Sequence, residues 1–134
     1  AVEDLSKLQA AVETLRRHGV RIAIDDVGAG NAGLRLLSEV DFDIMKIDLS
    51  LVRAGAHHAP SEAVLRALGA VARQRGRSIV AEGVETSDLL EAVLELRFDA
   101  GQGYLLGRPL PQLVHDPVAL FELMAAAEET AAVA

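Results

Sequence analysis

The sequence predicts a parallel α/β fold built from successive βαβ units. Three observations predict it. Short β-branched runs alternate with longer amphipathic stretches, glycines stand where those stretches end, and polar side chains collect just past the short runs. Just over half of the 134 residues are apolar (51%) and a quarter are charged (25%), a composition able to fill one core. Phe42, Phe98, Tyr104 and Phe121 are the aromatics, so the core is expected to be aliphatic.

The first helix is predicted over Leu5 to His18, with Leu5, Leu8, Val12 and Leu15 on one face, basic residues in the last turn and Gly19 as the stop. Val20 to Ile24 reads as a buried strand, and Asp25 to Asn31 as a glycine-rich loop. A helix through Leu34, Leu36 and Leu37 follows. Asp43 to Asp48 reads as the second strand, and a helix from about Ser61 to Arg75 ends at Gly76. Between them, His57 and His58 fall in a Gly-Ala-rich connection, Gly55 to Pro60, that reads as a solvated loop. Arg77 to Ala81 is the third strand. Glu82 to Glu85 forms a loop, and a helix from Ser87 to Leu96 is capped by Thr86 or Ser87. A weaker fourth strand lies near Phe98 to Gly101. A last helix begins near Pro117 and runs into an alanine-rich tail, where Glu122, Glu128 and Glu129 read as solvated surface.

The polar residues then fall into register. Asp25 and Asp26, Lys46 and Asp48, Glu82 and Glu85, and Gln102 all stand at or just past the carboxyl end of a strand. In a parallel sheet those ends share one edge, the edge where such folds bind ligands. Side chains alternate along a strand, so Ala23 and Asp25 share a face opposite Ile22 and Ile24. Likewise Ile44, Lys46 and Asp48 lie together opposite Met45 and Ile47, and Ser78, Val80 and Glu82 share a face. A lysine in such a sheet needs a counter-charge, and Asp25 and Asp48 are the expected partners of Lys46. Asp41 and Asp43 are expected to serve the turn before the second strand.

A formal charge of −7 disfavours polymeric nucleic acid, and the scarcity of aromatics removes a base-stacking row. A small phosphate ester stays compatible if cations offset the carboxylates. The absence of cysteine excludes disulfides and thiolate metal sites. No apolar run reaches membrane-spanning length and the first residues do not read as a signal peptide, so a cytoplasmic setting is expected.

Four blocks now carry a resemblance. Asp25-Asp26-Val27-Gly28-Ala29-Gly30, Lys46-Ile47-Asp48, Ala81-Glu82-Gly83-Val84-Glu85-Thr86, and Gln102-Gly103-Tyr104 with Gly107-Arg108-Pro109 resemble, in order and spacing, the motifs of the EAL family of cyclic-di-GMP phosphodiesterases. The resemblance implies about half of a TIM-type (β/α) barrel. Residues 1–115 would be the C-terminal half of the domain, and residues 116–134 its terminal helix and frayed tail. It implies two Mg²⁺ or Mn²⁺ ions in the complete domain, with Asp25, Asp26 and Glu82 as metal ligands. Lys46 and Glu82 would act on the nucleophilic water or a phosphate oxygen, Gln102 and Asp48 would contact the substrate, and Gly28, Gly30 and Glu85 would set loop geometry. Cyclic di-GMP is the implied ligand, hydrolysed to linear pGpG.

The sequence also departs from the family. Its Glu-Ala-Leu motif, an asparagine and a further glutamate have no counterpart here, and Glu3 stands too close to Asp25 to be that glutamate. Val27 replaces a common phenylalanine, and Asn31-Ala32-Gly33 replaces an aromatic-Ser-Ser run. Four strands cannot close an eight-stranded barrel, and an open half exposes apolar surface. Inactivity of the isolated chain is therefore expected, with pairing to another copy or to the N-terminal half of the domain, and with room for an upstream sensor or GGDEF domain. Two other readings stand beside the enzyme: a degenerate EAL module acting as a cyclic-di-GMP receptor or regulatory partner, and an unrelated flavodoxin-like domain using an aspartate pair for Mg²⁺.

Overall fold

The computed structural model describes residues 2–29 and 32–109. Helix α1 spans Val2–Arg17, strand β1 Ala23–Val27, α2 Ala32–Glu39, β2 Ile44–Ile47, α3 Leu49–His57, α4 Ala59–Gln74, β3 Ser78–Ala81, α5 Ser87–Glu95 and β4 Ala100–Gly101. The strands form one sheet in the order β1-β2-β3-β4, every pair parallel. The parallel strands follow chain order, each joined to the next through helix, the connectivity of a (β/α) barrel. Gly30, Asn31, the helix expected near Pro117 and the tail glutamates lie outside the described residues.

One face of the sheet makes the core. Ile24 and Val27 of β1, Met45 and Ile47 of β2, and Ile79 and Ala81 of β3 are buried. They pack with Leu37 of α2, Val52 of α3, Leu65, Leu68 and Ala72 of α4, and Leu89 and Val93 of α5. The opposite face, carrying Ala23, Asp25, Ile44, Lys46, Ser78, Val80 and Ala100, is half-buried or exposed. This is the alternation read from the sequence, with larger aliphatics under the helices and the polar-ended set on the face a barrel would enclose.

Two expectations are corrected. The first strand is not Val20 to Ile24 but Ala23–Val27, so the aspartate pair lies within it. Pairing with β2 carries the extended chain past Ile24, while Val20 stays nearly half exposed before the strand begins. The connection before α4 is not a loop either. Gly55, Ala56 and His57 belong to α3, which sequence reading overlooked, and Ala59 and Pro60 open α4, leaving His58 alone between them. Gly55 is there for close approach: a Cβ on it would collide with the side chain of Leu65 in α4.

The helix ends follow ordinary rules. Arg16 and Arg17 occupy the last turn of α1 and Gly19 follows at φ +78°. Of the predicted apolar face only Val12 is buried, whereas Leu8 and Leu15 remain exposed. Thr86 caps α5, its hydroxyl accepting from the Leu89 amide at 3.3 Å. Asp41 and Asp43 do more than serve a turn. The Asp43 carboxylate accepts from the Ile22 amide at 2.8 Å and from Arg16 at 2.6 Å, and it faces Arg77 at 3.3 Å. Asp41 pairs with Arg16 at 3.1 Å and Arg77 at 2.7 Å. This network ties α1 to the amino ends of β1, β2 and β3.

Candidate metal-phosphate site

The site forms at the carboxyl ends of the strands, and a break in the β1–β2 register builds it. Ile24 pairs with Met45 and Val27 with Ile47, so two residues of β1, Asp25 and Asp26, oppose one of β2, Lys46. That is a β-bulge, a device that re-aims a side chain. Asp26 takes φ +55°, a left-handed conformation that aspartate tolerates better than most residues. Strict alternation would place Asp25 and Asp26 on opposite faces. With the bulge both are exposed and only the flanking Ile24 and Val27 are buried.

Lys46 extends from β2 into the space so formed. Its Nζ donates to Asp25 Oδ1 at 2.7 Å and also pairs with Glu82 Oε1. Glu82 stands one residue past β3, and its amide donates to Ile47 O at 3.0 Å, so the ladder continues under the carboxylate. Oxygen atoms of Asp25, Asp26 and Glu82 all lie within 4.8 Å of one another. The Lys46 hydrogen bond holds the Asp25 carboxyl below its ordinary range. The Lys46 ammonium is raised by its bonds to Asp25 and Glu82, against a smaller opposing effect of burial. Both groups are therefore charged around neutral pH.

The remaining predicted residues take other places. Asp48 does not reach Lys46. It caps α3, its Oδ1 accepting from the Ser50 amide at 2.8 Å and from the Ser50 hydroxyl. Glu85 pairs with Arg53 of α3. Gln102 lies on the same rim, one residue past β4. Its amide donates to Ala81 O at 2.8 Å, its carbonyl accepts from the Val84 amide at 3.0 Å, and its side chain is exposed. It borders a cavity of about 410 Å³ shared with Tyr104 and Arg108, whose guanidinium lies 4.4 Å from the Tyr104 ring centroid.

Glycines let these segments pack closely on α3 and on one another. Gly28 (φ +109°) and Gly83 (φ +65°) both adopt backbone that disfavours side chains, and a Cβ would strike Leu51 and Leu49 respectively. A Cβ on Gly103 would run into the backbone of Val84. Sequence reasoning missed Arg53, Leu49 and Leu51 as supports of the rim. Asp48 followed by Ser50 and the apolar pair Leu51-Val52 was a readable helix start.

The chemistry of the donor set suits a divalent cation. Three carboxylates face one ammonium, all donors to a cation would be oxygens, and Mg²⁺ and Mn²⁺ favour such ligands. Fold and rim together define a parallel (β/α)-barrel unit with an acidic cluster at the carboxyl ends of its strands.

Comparison with known proteins places the unit within a family. Residues 1–109 match the family described as EAL domain, and the chain belongs to it. It is 36% identical over 111 residues to the Escherichia coli protein named cyclic di-GMP phosphodiesterase PdeF, spanning 83% of this chain and 15% of that protein. The EAL domain of Mycobacterium smegmatis DcpA superposes with a TM-score of 0.73 at 30% identity, covering 94% of this chain and 53% of that one. The manganese/cyclic-di-GMP complex of Klebsiella pneumoniae BlrP1 superposes with a TM-score of 0.72 at 33% identity, covering 76% of this chain and 26% of that one. The chain thus spans about half or less of each of these relatives. Among the described residues, no helix is long and apolar enough to cross a membrane.

Proposed function

We propose that this chain supplies one side of a metal-dependent cyclic-di-GMP phosphodiesterase site, with Asp25, Asp26 and Glu82 holding divalent cation and Lys46 meeting the phosphate or the attacking water. The observation that carries the reading is the convergence of three carboxylates on one another at one rim, two of them paired with Lys46, with the bulge in β1 bringing both aspartates there. Mg²⁺ or Mn²⁺ bound there would lower the pKa of a water and offset charge on the phosphoryl oxygens. The chain's own residues do the rest. Asp25 and Glu82 hold the Lys46 ammonium at a fixed point, where it can donate to an anionic oxygen without reorganising. Gln102 presents its amide on the same rim, with its backbone pinned between Ala81 and Val84. Asp48 would contact substrate only through a carboxylate that already caps α3. Gly28 and Gly83 let the chain after β1 and after β3 pack closely on Leu51 and Leu49 of α3, and Glu85 belongs to the second of these segments.

Two hard cations need about six oxygen ligands each, and three carboxylates supply a minority of them. We infer that the bare face of the sheet is completed by further polypeptide, either the N-terminal half of a barrel or a second copy, before turnover occurs. Residues 1–115 and 116–134 would then belong to one domain, working in the cytoplasm, and an upstream sensor or GGDEF domain would supply its signal. Light scattering that returned a monomer with cooperative unfolding would contradict the need for such a partner. The decisive assay incubates cyclic di-GMP with Mn²⁺ and follows linear pGpG, for this chain and for a polypeptide extended upstream. Product from the longer chain, abolished by Asp25→Asn, is expected.

A second reading is favoured by one observation. Val27, at the place where the family pattern this sequence resembles has phenylalanine, is buried in the core behind the aspartate pair, where it fills less of the space that supports the rim. An EAL module altered in this loop would serve as a receptor for cyclic di-GMP, and binding without product in both polypeptides would select that role.

A further inference from the structure

Helix α3 does more than connect β2 to α4. Its start is fixed by the Asp48 cap, directly after the strand that carries Lys46. Leu49 and Arg53 stand four apart, on one face of the helix. Leu49 fills the space a side chain on Gly83 would need, and the Arg53 guanidinium pairs with the Glu85 carboxylate through Nη2 and Oε2. One helix face therefore grips two alternate residues of the loop that begins at Glu82. Between them, Val84 is fully buried, and its amide donates to Gln102 O at 3.0 Å. Leu51, on another side of the same turn, sits where a side chain on Gly28 would go.

These contacts restrain different directions. Leu49 against Gly83 sets how closely the loop approaches α3, because no side chain intervenes. A leucine–glycine contact leaves sideways sliding open, and the Arg53–Glu85 pair opposes it. The pair is half exposed, with side chains 54% and 36% accessible, and such pairs add little to global stability. Its consequence is local.

We propose that Arg53 is a positioning residue for the glutamate loop, holding Glu85 so that Glu82 keeps its place beside Asp25 and Asp26. The effect on cation binding rests on the metal-site reading given above, whereas the effect on the loop does not.

The experiment uses the full chain with Arg53→Ala, Arg53→Lys and the exchanged pair Arg53→Glu/Glu85→Arg. Amide hydrogen exchange by NMR reads Val84 in the loop and Met45 in the core, and titration with Mn²⁺ followed by electron paramagnetic resonance reads the cation. In Arg53→Ala, Val84 exchange is expected to accelerate several-fold while Met45 and the thermal midpoint hold, because the restraint is local. Mn²⁺ affinity should fall about tenfold, at the low end for residues that orient a metal ligand through another group. Arg53→Lys and the exchanged pair should each recover most of both effects.

Unchanged Val84 exchange in Arg53→Ala overturns the proposal, as does acceleration matched at Met45, which would mark general destabilisation. Faster Val84 exchange with unaltered Mn²⁺ affinity also overturns it, since the loop would then move without shifting Glu82. If the unsubstituted chain bound no Mn²⁺, the metal-site reading would fail, and the exchange data with their rescue would still decide the role of Arg53.

Discussion

The two rims of the sheet carry similar side chains and use them oppositely. At the amino ends of the strands, Asp41 and Asp43 are matched by Arg16 and Arg77, and the Ile22 and Ile79 amides donate to Asp43 and Asp99. Asp41 and Asp43 balance Arg16 and Arg77, Asp99 adds a third acid that accepts from the Ile79 amide, and each acid closes a contact between elements. At the carboxyl ends, oxygen atoms of Asp25, Asp26 and Glu82 lie within 4.8 Å of one another, and Asp25 and Glu82 share the one ammonium of Lys46. Acids that complete the fold find partners within the fold. Acids left in excess around one base repel one another, and in the function proposed above a divalent cation would offset them. The same residue type is structural or functional according to the local balance of charge.

The largest expected effect lies at the carboxyl rim. Asp25→Asn should weaken Mn²⁺ binding by about 100-fold or more, beyond the range for residues that act through another group, while the unfolding midpoint moves little. Paired metal titration and thermal melts check this, and a large midpoint loss with intact metal binding would erase the contrast between the rims.

Asp43→Ala should behave the other way. It removes an acceptor from the Ile22 amide and leaves Arg16 and Arg77 to share Asp41 alone, costing about 2 kcal/mol of stability. Urea unfolding reads this, with Mn²⁺ affinity expected to be unchanged.

Acid should act on both rims, because Asp25 as well as Asp43 is held below its ordinary range. The Ile22 amide, and then Arg16 and Arg77, hold the Asp43 carboxyl below its ordinary range against the opposing effect of burial. A carboxyl whose folded pKa is depressed binds protons less readily in the native state. Its contribution is therefore fully present above the unfolded value of about 3.9 and is lost as pH falls through the folded value. Urea midpoints of the unsubstituted chain should fall on going from neutral pH to below about pH 4, and Asp43→Asn should flatten that dependence. An equally steep profile in the variant would assign the acid sensitivity to other carboxylates.

The smallest effect is expected from Asp26→Asn. Asparagine keeps the tolerance for φ +55° that the bulge requires and removes one of three crowded negative charges. Stability should rise by about 0.5 kcal/mol or stay level, while Mn²⁺ affinity drops. A clear loss of stability would show the Asp26 carboxylate to be structural, as Asp43 is.

The order of the strands, every described helix but α3, the buried faces of β2 and β3, the glycine stops at Gly19 and Gly76, and the convergence of four polar blocks on one edge were present in the sequence. They follow from local rules: period two along a strand, glycine and cations at helix ends, and parallel connection through helices. What pairing partners impose was not legible there. The extent of β1 and its bulge depend on matching two residues against Lys46, a count with no meaning until β2 lies alongside. Helix α3 was hidden because its Gly-Ala-rich second half resembles a connection, and packing of Gly55 on Leu65 makes that composition helical. The exchange of Asp48 for Glu82 as partner of Lys46, and the grip of Arg53 on Glu85, join residues about thirty positions apart. Only tertiary structure decides between carboxylates so placed, because chain separation carries no information about which one a long, flexible base will meet.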